Sequence, residues 1–155
     1  MSKVNCPFCS PSVDSRIIYE NHYSRLILTR DAIHPGQSLV ISKRHVSTIN
    51  QLSIEEWNSM NILAKDVADI LLNSEIYDGV NILLNSGVTA GQTIHHSHLH
   101  IVPRISGDIP VAKEWLNPEF QKREYTPKSE EIILYSKIFK EEINNILTKR
   151  STRTR

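Results

Sequence analysis

An α+β fold, in which an antiparallel sheet carries a central helix and a C-terminal helix, is predicted by three features of the sequence. Short β-branched and apolar runs flank a polar turn near the N-terminus, and a helix-period segment separates strands in mid-chain without strict strand–helix alternation. A second helix-period segment closes the chain. At 155 residues, one domain with one hydrophobic core is expected. The balance of 39% apolar and 23% charged residues is that of a globular protein, and no apolar run approaches the roughly 20 residues that cross a bilayer. Residues 1–10 have a polar start and no apolar segment of signal-peptide length, so a cytoplasmic location and reduced cysteines are expected. A net charge of +1 gives no global reason to expect nucleic acid, and the four basic residues within Lys149–Arg155 read as a frayed, solvated tail.

Taken in order, Arg16–Glu20 and Arg25–Thr29 around the turn Asn21–Ser24 suggest a hairpin. His34-Pro35-Gly36 breaks the chain before a strand at Ser38–Ser42. Ser53 with Glu56 forms a capping box, and Ile54, Trp57, Met60, Leu63, Val67, Ile70 and Leu71 recur behind it at helical spacing, giving a helix to about Leu72. Val80–Leu84 reads as a buried strand, Asn85–Gln92 as a glycine-containing loop, and Ser97–Val102 as a strand that Pro103 stops. Pro103–Thr126 is expected to be a surface excursion. From Ser129, the residues Ile132, Tyr135, Ile138, Ile143 and Ile146 mark the C-terminal helix.

The stretch GQTIHHSHLHIVPR, residues 91–104, packs four of the chain's seven histidines into six positions. On an extended strand His96, His98 and His100 share one face, and Leu99 and Ile101 the other. Such a row can be a solvated polar face or can hold a catalytic metal. The preceding loop argues against the metal: Asn85, Gln92 and Thr93 supply neutral donors and no carboxylate, while Gly87 and Gly91 leave backbone amides approachable. That surface suits an anion such as phosphate. The pair Cys6-Pro7-Phe8-Cys9 is a redox motif, half a zinc site or a coincidence. Redox pairs usually open a helix behind a central strand, and nothing before residue 6 can be one.

Gln92-Thr93-x-x-His96-x-His98-x-His100, followed by apolar residues and Pro103-Arg104, resembles the signature of the histidine triad (HIT) nucleotide hydrolases and transferases. HPGQSLVISKRHV, residues 34–46, is similar to that family's Pro-Gly-x-x-Leu-Val-Ile-x-Lys-x-His segment, and NILLNSGVTAGQT, residues 81–93, to its approach to the triad. The likeness covers roughly residues 5 to 105, and it divides the chain into a HIT domain at 1–127, a C-terminal helix packed on it at 128–148 and the basic tail at 149–155.

The resemblance implies a homodimer sharing a continuous sheet, with a nucleotide, a purine one, bound beside the triad. His98 would attack the α-phosphorus to give a nucleotidylated imidazole. Protonated His100 and backbone amides would stabilise the phosphoryl oxygens in place of Mg²⁺. Gln92 would sit near the scissile bridging oxygen, Thr93 and Asn85 would contact phosphate or leaving group, and Asp31 would grip ribose. The implied substrates are a nucleoside phosphoramidate, a mixed anhydride or a dinucleoside polyphosphate. The alternatives are a nucleotidyltransferase or phosphorylase with a non-water acceptor, and a non-catalytic nucleotide-binding module. Zinc-bearing HIT proteins and the galactose-1-phosphate uridylyltransferases also imply a structural zinc on Cys6, Cys9, His45 and His96, with His95 the competing fourth ligand and no catalytic metal. Gln37 stands where many members have histidine, and Ser42 where many have proline.

Overall fold

The computed structural model describes residues 5–29, 32, 34–107 and 128–153; Asp31 and most of the expected excursion after Pro103 lie outside them. The strands are β1 (Ile17–Glu20), β2 (Ser24–Leu28), β3 (Ser38–Ser42), β4 (Gly79–Leu83) and β5 (His98–Arg104), and the helices are α1 (Ile54–Leu72) and α2 (Ser129–Arg153). All strand pairings are antiparallel, and the sheet order is β1-β2-β3-β5-β4. This is the α+β architecture that the sequence predicts.

Local chemistry explains the elements. In the hairpin turn the Asn21 side-chain oxygen accepts the N–H groups of Tyr23 (3.0 Å) and Ser24 (2.8 Å), closing an Asx turn. The same oxygen accepts the Ser59 hydroxyl of α1 at 2.9 Å, which ties the hairpin to the helix. At the start of α1, Ser53 Oγ accepts the Glu56 N–H (3.2 Å) and Glu56 Oε2 accepts the Ser53 N–H (2.8 Å), the reciprocal cap expected from sequence. Arg44 then grips the Glu56 carboxylate through Nε (2.8 Å) and Nη2 (2.7 Å), fastening the segment after β3 to the helix start.

Register decides the two faces. Ser38 opposite Ile101 and Val40 opposite Leu99 point to one side, where Val40, Leu99 and Ile101 pack with Met60, Leu63 and Val67 of α1 and Phe139 and Ile143 of α2. Leu39 opposite His100 and Ile41 opposite His98 point to the other, where Cys6, Phe8, Val13 and Ile27 cover part of the sheet. The histidine face is therefore the one that the helices leave to the N-terminal segment.

Three expectations need correction. β4 is an edge strand rather than a buried one, and its Ile82 is 44% exposed. Pro103 does not stop β5: it pairs with Val80, beyond the last β3 partner at Ile101, where among the described residues one flank of β5 has no strand to lose a hydrogen bond to. Nor does the chain fray at Lys149. α2 continues to Arg153, and the Arg150 guanidinium forms a two-point ion pair with buried Asp66 of α1, one contact at 2.8 Å.

Candidate active site and metal centre

Cys6 and Cys9 sit in a tight knuckle in which the Cys6 carbonyl accepts the N–H groups of Cys9 (3.0 Å) and Ser10 (3.1 Å). His45 follows β3 and His96 precedes β5, so the sheet register brings both to the knuckle. The two Nδ1 atoms lie 3.3 Å apart; Cys6 Sγ is 3.4 Å and Cys9 Sγ 3.5 Å from His96 Nδ1, and Cys9 Sγ is 3.3 Å from His45 Nδ1. Ligands at zinc-like distances from one tetrahedral centre stand about 3.3–3.8 Å apart. The four atoms all lie within 4.8 Å of one another, so the cluster could hold a metal ion.

The tautomer fits. His96 Nε2 donates to the Ser42 carbonyl at 2.7 Å, which leaves the Nδ1 lone pair facing the thiols. Burial pulls the His96 pKa down to about 4, so the ring is neutral, the form a metal requires. His95 stands outside the cluster, with its Nδ1 3.5 Å from Ser47 Oγ.

The expected row of three imidazoles is a row of two. His96 lies in a bend before β5 and turns to the thiols, whereas His98 and His100 follow on the strand with ring centroids 4.8 Å apart. His98 is buried, and its Nδ1 donates to the His96 carbonyl at 2.6 Å, so Nε2 carries the free lone pair. Burial lowers its pKa, partly offset by that hydrogen bond. The His100 pKa is pushed down to about 4, first by burial and then by His98, so at neutral pH it is an uncharged imidazole and not the cation expected from sequence.

Gln92 is buried, and its side chain is fully engaged with backbone. Nε2 donates to the carbonyls of Ser47 (2.7 Å) and Ile94 (3.0 Å), and Oε1 accepts the Gly87 N–H (2.7 Å). It holds the loop between β4 and β5 shut. Gly91, at φ 81, closes the turn in a backbone region that favours glycine. Thr93 is exposed and Asn85 half-buried on the same loop; Asp31 is outside the described residues.

A histidine pair beside a cysteine–histidine cluster narrows the relatives this chain can have, and the model of the HIT domain matches residues 10–107. The chain belongs to the HIT-domain family. A HIT-like protein of Saccharolobus solfataricus, itself uncharacterised, is 32% identical over 77% of this chain and 88% of its own. The bis(5'-adenosyl)-triphosphatase of Dictyostelium discoideum is 29% identical over 76% of this chain and 77% of its own. Among solved structures, a Zn-bound histidine triad family protein from Mycobacterium smegmatis superposes with a TM-score of 0.72 at 25% identity, covering 96% of this chain and 99% of that one.

Within this HIT domain the sequence reading missed two supporting groups. The Ser42 carbonyl fixes His96, and Phe8 packs edge-on to both His98 and His96. Neither carries a sequence signal: a carbonyl belongs to any residue, and Phe8 reads only as a spacer between cysteines. A cleft of about 560 Å³ between the hairpin and α2, lined by Arg16, Ile17, Leu28, Ile132, Lys137 and Lys140 among others, contains none of the clustered histidines. Among the described residues no helix is long and apolar enough to cross a membrane.

Proposed function

We propose that this HIT domain is a nucleotide phosphohydrolase that cleaves at the α-phosphate of a purine nucleoside phosphoramidate, mixed anhydride or dinucleoside polyphosphate. The observation that carries the reading is the His98 ring: its Nδ1–H is committed to the His96 carbonyl, which leaves the Nε2 lone pair, on the sheet face opposite α1 and α2. In the first step Nε2 attacks the α-phosphorus, a P–N bond forms, and the bond to the leaving group breaks with its electron pair. The leaving group takes up a proton from solvent, and the attacking water of the second step returns one. In the second step water attacks phosphorus, the P–N bond breaks back to the imidazole, and a nucleoside monophosphate departs.

His100 donates a neutral N–H to the phosphoryl oxygens, and an arriving phosphoanion favours its charged form. Gln92 acts by fixing the loop between β4 and β5, whose Gly87 and Gly91 amides, read from sequence as open to an anion, donate inside the loop instead, with Asn85 and Thr93 contacting phosphate or leaving group and Asp31 the ribose. Cys6, Cys9, His45 and His96 would hold a structural zinc, which scaffolds the approach to β5 and takes no part in bond making.

The reading includes a homodimer. β4 is a sheet edge, and Ile82 of β4 and Ile62 of α1 are both roughly half-exposed apolar side chains. Sedimentation at micromolar concentration should give twice 17.8 kDa; a clean monomer would remove the dimer from the reading.

Turnover of an adenosine phosphoramidate beside diadenosine triphosphate tests the activity. Rapid quench and peptide mass mapping should place a nucleotidyl group on His98. An adduct on another residue, or no turnover of either compound, overturns the reading, and a nucleoside diphosphate formed on adding orthophosphate would reassign the enzyme as a phosphorylase.

A further inference from the structure

We propose that Phe8, inside the Cys6–Cys9 knuckle, is a positioning residue that holds the His98 imidazole at its attacking angle. The proposal rests on the reading of His98 as nucleophile given above.

Phe8 is buried, at 4% exposed. Its ring centroid lies 5.2 Å from that of His98 with the planes at 69°, and 5.7 Å from that of His96 at 83°. Both are edge-to-face contacts of the kind aromatic rings prefer. The hydrogen bond from His98 Nδ1 to the His96 carbonyl fixes one atom of the nucleophile's ring. A ring held at one atom can still rock about it, and Nε2, across the ring, then moves most. A second contact against the ring removes that freedom, and Phe8 provides it.

Phe8 is itself held. It lies between the two cysteines, next to Cys9, and the Cys6 carbonyl closes the knuckle on the N–H groups of Cys9 and Ser10. It packs in one cluster with Ile27, Leu39 and Ile41, and Ile41 is the cross-strand partner of His98. The cysteine knuckle thus reaches the nucleophile by two routes: through His96 along the main chain, and through Phe8 by side-chain packing. Sequence spacing shows only the first.

Phe8→Leu keeps an apolar side chain in the space and removes the ring. The full-length variant and wild type would be compared for metal content, for the His98 tautomer by nitrogen-15 NMR of the imidazoles, and for kcat and KM on adenosine phosphoramidate and diadenosine triphosphate. Wild type should show His98 as a single Nδ1–H tautomer. Phe8→Leu should keep its metal and its KM, broaden the His98 signals into exchange, and lose about 10–10²-fold in kcat, the cost of a misplaced reacting atom. Should Phe8→Leu lose metal, Phe8→Met, which fills irregular space with an unbranched chain, repeats the comparison. A metal-loaded variant with an unchanged His98 spectrum and the kcat of wild type would overturn the proposal. If wild type turns over neither compound, the nucleophile reading fails alone, and the tautomer spectra still decide whether Phe8 orders His98.

Discussion

His98 donates from Nδ1 to the main-chain carbonyl of His96 at 2.6 Å, so the residue read as nucleophile is oriented by the residue that faces the thiols. The two histidines divide the work of one sequence motif. His96 has its Nε2 on the Ser42 carbonyl and its Nδ1 toward Cys6, Cys9 and His45; His98 has the opposite arrangement, with Nδ1 tied to backbone and Nε2 left over.

That division makes His98→Asn the sharpest test of mechanism. The asparagine amide can keep the hydrogen bond to the His96 carbonyl, but nothing replaces Nε2. Steady-state turnover should fall by roughly 10³–10⁶-fold with metal content and thermal midpoint preserved. Substantial activity in this variant would rule out a nucleotidyl-His98 intermediate.

Removal of a thiol should have the opposite profile. Cys6→Ser and Cys9→Ser each break a four-ligand cluster whose members come from three separate segments, so metal and folding free energy are lost together. We expect the thermal midpoint to drop by about 5–15 °C, from several kcal/mol at roughly 2–4 °C each, while the fraction that stays folded retains residual activity, reduced because the knuckle also positions His98. A brief EDTA treatment too mild to strip the cluster should leave wild-type turnover intact. Elemental analysis of protein purified without chelators should find zinc, and a metal-free preparation of equal stability would show the cluster to be empty of function.

The pH dependence of stability should carry a signature from Glu56. Its hydrogen bond to Arg44 holds the Glu56 pKa below the usual carboxylate value, against the raising effect of burial and with help from the Ser53 N–H. A lowered folded-state pKa means a contribution that is complete above the unfolded value of about 4.3 and is lost as pH falls through the lower folded value. The stability gap between wild type and Glu56→Gln should therefore be constant near neutrality and close in that acidic window. A gap that persists unchanged to pH 3 would place the effect in packing and not in charge.

How much of this was legible in the sequence follows from where each signal resides. The Ser53–Glu56 cap and the period behind it set both ends of α1 as found, because capping is local chemistry between residues three apart. Cys6, Cys9, His45 and His96 were joined by family resemblance, and the cross-strand register then brings them within 4.8 Å. The bend at His96 was not legible: alternation along a strand assumes that the strand has begun, and β5 begins two residues later. The neutral state of His100 was equally hidden, since burial is a property of the whole sheet face. Arg150 read as tail because its partner Asp66 is 84 residues away, beyond the reach of any local pattern.

Gln92 separates two ways of helping a reaction. Both N–H donors of its amide are used on the carbonyls of Ser47 and Ile94, and its oxygen accepts Gly87 N–H, so none of its donors remains for a leaving group. Gln92→Ala should then act on the loop: the three partly buried backbone groups lose their partner, the thermal midpoint falls, and kcat/KM drops by about 10–10²-fold, less than for His98→Asn. Because the loop serves every substrate alike, the factor should be the same for adenosine phosphoramidate and diadenosine triphosphate, whose leaving groups differ widely in basicity. Gln92→Glu should be worse for stability, since a carboxylate would set oxygen against two carbonyl oxygens. A loss confined to the substrate with the more basic leaving group would show that Gln92 leaves the backbone during turnover and touches the departing atom directly.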